Sequence, residues 1–422
     1  MKAGVVLRLV FAGFPFRPPR EGWILRFVFF VCLLVCLFSI APWAEASAEG
    51  AERLFFPDGS VYSVGDKTAN LSSIPSDSLR DCIPLLQKMT ALRSISLGRD
   101  SDRPQGDVPF SWEDIAALQE ALPGLRIHYR FTLYGKEFTL RDTEMNLSHV
   151  PVDDEGEGVR TVLPCMKKCR LLDMDFCGVP SETMAEIRDA FPDIEVVWRI
   201  WFGGNCSVRT DCTRILASAP IYSLKDDNTQ DLQYCTKVKY LDLGHNETLH
   251  NYSYIANMPE LEVCILAITG ITDLTPLENC KKLEYLELNN CPSGLDLSPL
   301  AGCTNLRHLN ICWLYGATGF RALGELKQLE RLWIGAITEI SDEDVEYLRA
   351  ALPNTEINTT EQTGCNGSWR EEPNGGLVER YVLLRKQFDY DHYGLAVSTY
   401  YNDPLYFENP QDAMIYRGVP FS

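Results

Sequence analysis

Between residues 238 and 357 one apolar pattern returns every 22 or 23 positions, and few folds can satisfy it. The segments are Val238-x-x-Leu241-x-Leu243, Leu261-x-x-Cys264-x-Leu266, Leu283-x-x-Leu286-x-Leu288, Leu306-x-x-Leu309-x-Ile311, Leu329-x-x-Leu332-x-Ile334 and Leu352-x-x-Thr355-x-Ile357. Alternating apolar residues place one side of a short strand against a core. The remaining residues of each unit return the chain to start a parallel neighbour. One unit cannot bury its own apolar side, so the units must stack and share a continuous core.

Eight residues after each first apolar residue stand Asn246, Thr269, Cys291, Leu314 and Ile337. Asn and Cys match the pattern L-x-x-L-x-L-x-x-N/C; Leu and Ile depart from it. The segment resembles the leucine-rich repeat family, and its period is similar to the short, internalin-like class of bacterial surface repeats. The resemblance covers only the repeats. It implies an α/β leucine-rich repeat solenoid with a parallel concave sheet. It also implies adhesion or host contact rather than catalysis.

A longer period runs through the preceding residues. Leu163, Leu172, Met174 and Cys177 correspond to Leu232, Leu241, Leu243 and Asn246 at a constant shift, and Asn70–Pro75 correspond to Asn146–Pro151 at another. Hairpin turns are expected at Asp58-Gly59, Tyr134-Gly135 and Gly203-Gly204, where glycine supplies the positive φ of tight turns. Three helices should start at the N-caps Ser111, Ser181 and Ser341, each with an i, i+3, i+7 apolar stripe, and stop at Pro123, Pro192 and Pro353. Residues 49–230 therefore read as degenerate, hairpin-bearing repeats and 231–358 as the regular array. The Tyr-rich residues 359–422, with a helix expected over 377–388, read as a non-repeat C-terminal cap or tail closing the open end, with an aromatic ligand platform as the alternative.

Residues 1–48 differ from the rest. Arg17, Arg20 and Arg26 precede an apolar run from Phe27 to Ile40, followed by Ala44-Glu45-Ala46 and Ala46-Ser47-Ala48. These are the parts of a secretory signal peptide, and cleavage is the preferred reading. The alternative is an uncleaved anchor through residues 24–43. The expected location is secreted or cell-surface.

A net charge of −19 argues against a general nucleic-acid or anionic-lipid binder. No H-E-x-x-H, G-x-S-x-G or G-x-x-x-x-G-K-[ST] occurs, so no enzyme, metal or cofactor is expected. Asp173-x-Asp175-x-x-Gly178 and Asp389-x-Asp391-x-x-Gly394 begin like calcium loops, but Met184 and Tyr400 stand where a bidentate Glu is needed. His245 and His250 lack companion ligands in the sequence. Of 15 cysteines, Cys235, Cys264, Cys280, Cys291 and Cys303 fall at repeat core positions and read as reduced core residues. Cys206 and Cys212 are the candidate local disulfide. Seven Asn-x-Ser/Thr sequons occur, and two of them, Asn70 and Asn146, recur at one repeat position as backbone caps.

The outward positions of the concave strands are where a solenoid binds. They supply the candidate ligand-binding residues Tyr240, Val263, Ile265, Tyr285, Glu287, His308, Asn310, Arg331 and Trp333. Apolar and aromatic residues at solvent-facing positions suit a protein or glycan ligand, with Tyr, Trp and Arg as anchors. His308 is expected to be solvated. The alternative is that the tail or a hairpin covers this stripe. A structural repeat module of the cell envelope is the second function, and an extracellular hydrolase with an unrecognised site the third.

Overall fold

The computed structural model describes residues 52–103, 106–204, 206–218, 223–336, 338–360, Trp369, Arg370, Glu379 and Tyr381, and the backbone of Tyr416 and Arg417. The N-terminal run and most of residues 361–422, including Asp389–Gly394 and all of the expected helix over 377–388 except Glu379 and Tyr381, lie outside them. Among the described residues no helix is long and apolar enough to cross a membrane.

The chain is an α/β leucine-rich repeat solenoid in three blocks. Two of them open with an antiparallel hairpin of their own, and the second takes its hairpin from the last strand of the first. The first block contains hairpin β1 (Arg53–Phe55) and β2 (Val61–Ser63), then β3 (Thr68–Asn70), α1 (Leu79–Lys88), β4 (Ser94–Arg99), α2 (Trp112–Ala121) and β5 (Arg126–Leu133). Strand β5 runs on into the next hairpin with β6 (Lys136–Thr139), where Phe131 faces Phe138. The second block follows with β7 (Glu144–Asn146), α3 (Glu157–Val162), β8 (Leu171–Asp173), α4 (Ser181–Ala190) and β9 (Glu195–Val197). Hairpin β10 (Arg199–Phe202) and β11 (Cys206–Arg209) opens the third.

That third block is the enlarged copy. Its parallel sheet orders β12 (Arg214–Leu216), β13 (Tyr240–Asp242), β14 (Val263–Ile265), β15 (Tyr285–Glu287), β16 (His308–Asn310), β17 (Arg331–Trp333) and β18 (Glu356–Asn358). The inward column Ile215, Leu241, Cys264, Leu286, Leu309, Leu332 and Ile357 is in register throughout. Its five central members are fully buried. Each buried aliphatic side chain there contributes roughly 1.5–3 kcal/mol, so stacking carries the fold.

Unit length sets what crosses the convex side. A 22–23-residue unit leaves room for a single 3₁₀ turn, as at Thr275–Leu277 and Ser298–Gly302, each with Pro in its first turn. Before β18 the chain instead forms the ten-residue helix α5 (Asp342–Ala351), which needs more chain. The sixth unit is therefore displaced by two residues from the sequence alignment, and Leu332 pairs with Ile357, not Thr355.

Ser111 and Ser341 cap α2 and α5, their hydroxyls accepting from the Asp114 and Asp344 N–H groups. Ser181 is instead the first residue of α4, and Pro180 holds the cap position. At the polar ladder, Asn246 Nδ2 donates to the carbonyls of Ala217, Leu243 and Gly244. Cys291 reaches the Leu266 carbonyl at 3.2 Å. Where Leu314 and Ile337 broke the pattern, Thr338 takes over one residue later and donates to the Ile311 and Ile334 carbonyls.

The twelve cysteines among the described residues are buried thiols, and Cys206 and Cys212 form no disulfide with each other. The fully buried Cys235 thiol meets Cys212 instead, and together with burial this contact holds its pKa well above the ordinary value.

Candidate functional site

Register places all nine candidate residues in two columns on one face of the sheet. Tyr240, Val263, Tyr285, His308 and Arg331 form the first. Ile265, Glu287, Asn310 and Trp333 belong to the second, which begins Leu216, Asp242 and ends at Asn358.

The expected exposure is corrected. Val263, Ile265, Tyr285, Glu287, His308, Asn310 and Trp333 are all buried, and only Tyr240 and Arg331 keep partial exposure. The cause is the C-terminal segment. Trp369 and Tyr381 pack with Val263, Ile265, Ala267, Tyr285, Cys312 and Trp333 in a second hydrophobic cluster separate from the main core. The described part of the tail thus lies along the concave sheet, the alternative to an open binding face. His308 is accordingly not solvated: its ring meets Tyr285 edge-on at 6.1 Å and its Nε2 lies 3.6 Å from Glu330.

Glu287 is the centre of this contact. Its carboxylate has no solvent exposure. The Trp369 indole donates to Oε1 at 2.8 Å, and the Arg370 guanidinium pairs with both oxygens. The Tyr285 hydroxyl also donates to Oε1. Burial first, and the Glu287 charge second, raise the Tyr285 pKa well above the usual phenol value, so this hydroxyl stays a donor. A buried carboxylate is tolerable only when paired and hydrogen-bonded, and here a cation and two neutral donors do that work.

Aromatic rings complete the seat. Trp369 lies 5.6 Å from the Tyr285 ring and 5.8 Å from Trp333. Arg331 covers both Trp333 and Trp369, with its guanidinium 4.9 and 5.3 Å from their centroids, while its Nε donates to Glu356 at 3.0 Å.

The second column separates structural from other positions. Asp242 and Asn310 each accept the backbone N–H two residues on, from Gly244 and Cys312. Asn70, Asn146, Asp173 and Asn358 end β3, β7, β8 and β18 with the same turn. So Asn310 serves its own backbone, and the Asn70 and Asn146 sequons are backbone caps as expected. Leu216, Ile265, Glu287 and Trp333 replace this residue type; Glu287 and Trp333 meet Trp369 directly, and Ile265 belongs to the same apolar cluster.

Sequence reasoning missed two arrangements. Trp369 and Arg370 carry no local sign of where they dock. The other is a buried ion network, with Arg199 Nε and Nη2 donating to Asp175 at 2.8 and 3.0 Å and Arg209 Nη1 donating to Asp173 at 3.1 Å. Arg209 also pairs with Asp211 at 3.0 Å. Asp173 and Asp175, set aside as calcium ligands, are thus held by the hairpin of the next block. The signal available was an arginine on each strand of that hairpin, set against two acids at the end of β8, two strands earlier.

Among the described residues no three His, Cys, Asp or Glu side chains gather as a metal site. His250 lies 3.8 Å from Asp226, both well exposed. A cleft of about 350 Å³ beside β9 is lined by Arg170, Arg188, Trp198, Tyr234 and Lys237. Arg188 is paired there with Asp189 and Lys237 with Glu195.

No family model matches the sequence. Cilia- and flagella-associated protein 410 of Mus musculus is 31% identical over 123 aligned residues, in a match that covers 26% of this chain and 45% of that protein. The match thus spans under half of the mouse protein's length. Among solved structures, an internalin from Listeria monocytogenes is similar at 17% identity and a TM-score of 0.30, over 66% of this chain and 63% of that one. A leucine-rich repeat protein of Leptospira interrogans is similar at 17% identity and a TM-score of 0.28, over 65% and 74%. The repeat fold of this chain rests on its own sheet register.

Proposed function

We propose that this protein is a non-catalytic recognition scaffold, secreted or displayed at the cell surface, whose concave face around Glu287 takes up a protein partner. One observation carries the proposal: at Glu287 and Trp333 the concave column departs from the Asn and Asp residues that cap their own backbone, and there the face engages Trp369 and Arg370 from outside the sheet. Glu287 amid Tyr285 and Trp333 has the make-up of an interface anchor, and it suits a protein better than a glycan because it is matched by a guanidinium and an indole. The resemblance of residues 1–48 to a secretory signal peptide supports the location.

The test uses full-length baits against extracts of the producing cell's envelope and surroundings. A partner retained by a Trp369→Ala/Arg370→Ala variant, and lost when Glu287→Gln is added, is the expected result. No partner on either bait, or retention indifferent to Glu287, refutes the assignment; retention of polysaccharide alone would shift the ligand class. N-terminal sequencing of the native protein should begin near residue 49.

A second reading, an intracellular repeat module, is favoured by the buried thiols, which suit a reducing compartment. The mouse relative is named for cilia and flagella. An intact N-terminus together with cytosolic fractionation would establish it.

A further inference from the structure

We propose that the Glu287 seat is a receptor for a short peptide carrying adjacent aromatic and cationic side chains, and that Trp369–Arg370 occupies it in cis as a built-in competitor. This rests on the concave face being the recognition surface, and it names the ligand class and the control.

The seat specifies its occupant. A carboxylate without solvent exposure must receive a cation, and Arg370 supplies one to both oxygens. A guanidinium suits this two-oxygen contact better than an ammonium. The same Oε1 accepts from the Trp369 indole N–H at 2.8 Å, which calls for an aromatic ring with a donor at the preceding position. Tyr285 and Trp333 bracket that ring, and Arg331 lies across it. Tyr381 stacks beneath the Arg370 guanidinium at 5.0 Å, so the cation is held from both sides. The cis segment leaves one demand unmet: the wholly buried Trp333 has an indole N–H with no acceptor among the described residues. A peptide that places a carbonyl or carboxylate there would bind better than the segment it displaces.

The tether sets the threshold. Trp369 follows β18 through residues 359–368, and a short tether gives an effective concentration in the millimolar range. With an intrinsic affinity of about 10 μM for the cis segment, any competing peptide then appears about 100-fold weaker while that segment is in place. The seat is thus closed to weak ligands and open to a partner with further contacts.

The probe is a fluorescein-labelled synthetic peptide spanning residues 364–374 with Cys365→Ser, read by anisotropy against the full chain. The control peptide has both Trp369 and Arg370 replaced by Ala. Wild type should bind the probe at least 10-fold more weakly than the Trp369→Ala/Arg370→Ala variant, and that variant should ignore the control peptide. Adding Glu287→Gln should lower probe binding at least 10-fold. If the double variant does not fold, Trp369→Phe/Arg370→Gln keeps bulk while removing the indole donor and the charge, and should bind the probe in the same way. A folded variant that fails to bind, or equal binding by wild type and variant, overturns the inference. Probe binding without any captured partner supports the seat and refutes the recognition reading. A partner captured through Glu287 by a variant that ignores the probe does the opposite.

Discussion

Replacing Arg199 by Met should be among the most damaging single changes in this chain. Arg199 and Asp175 have side-chain exposures of 3% and 2%, and their contact is a two-bond fork at 2.8 and 3.0 Å. Arg199→Met strands the Asp175 carboxylate, whose remaining cation is Arg209 at 3.5 Å. Breaking a buried pair from one side costs roughly 3–5 kcal/mol. The loss of the guanidinium 4.4 Å from the Phe176 ring adds up to roughly 1 kcal/mol, and the weak Arg209 contact returns a similar amount. The expected loss is about 4 kcal/mol. Asp175→Asn/Arg199→Met removes the stranded charge and should lose less than half of that, because unpaired charge, not missing attraction, dominates. Urea unfolding followed by circular dichroism reads both. At a slope of about 2 kcal/mol per molar the single variant shifts the midpoint by about 2 M. A single-variant loss below about 1 kcal/mol, or a double variant as damaged as the sum of the singles, would refute the argument that this network welds the second block to the third.

Four further outcomes follow from the same structure. Ile268 holds φ +57° where neighbouring repeats place His245 and Asn290, and β-branched residues are strained there, so Ile268→Asn should raise stability by about 1 kcal/mol in urea unfolding. Leu286→Ala empties the middle of the inward column and should cost roughly 2–5 kcal/mol by the same assay. Burial pushes Cys82, Cys177 and Cys303 up to about 12 and Cys165 and Cys280 to about 11, so at pH 8 Ellman's reagent should label these thiols only on unfolding. The ordinary thiol value is 9.0, so above pH 9 the unfolded chain sheds protons that the folded chain keeps. Stability must then fall as pH rises, by about 1.4 kcal/mol per pH unit for each such thiol, and a flat profile between pH 9 and 11 in urea unfolding would contradict the burial.

What the sequence exposed was whatever repeats. The inward and outward columns, the turns at Asp58-Gly59, Tyr134-Gly135 and Gly203-Gly204, and helices α2, α4 and α5 all announce themselves through period and turn chemistry. Helix α1 did not, because Pro84 lies inside it and breaks the pattern by which the other helices were read. The two-residue slip at β18 was hidden because Leu352, Thr355 and Ile357 also fit the ideal spacing, and only the chain demanded by α5 displaces them. The covering of the concave face is a tertiary event. Nothing within Ser368-Trp369-Arg370 tells a local reading that its partner is Glu287, more than 80 positions earlier.

Yet a trace of that event was present in the second column. A strand-end residue that returns its side chain to its own backbone is explained by the repeat alone, whatever the protein binds. Asp242, Asn310 and Asn358 all make this turn. A residue at the same position that cannot make the turn needs another explanation. Ile265 and Trp333 have no side-chain acceptor, and the longer Glu287 side chain sends its oxygens to Trp369 and Arg370. In stacked repeats, where every position is a near copy of its neighbours, failure of the local role is a sharper guide to recognition than exposure or hydrophobicity. Among the nine candidate residues that criterion points to Ile265, Glu287 and Trp333, with Tyr285 and Arg331 as walls of the same seat.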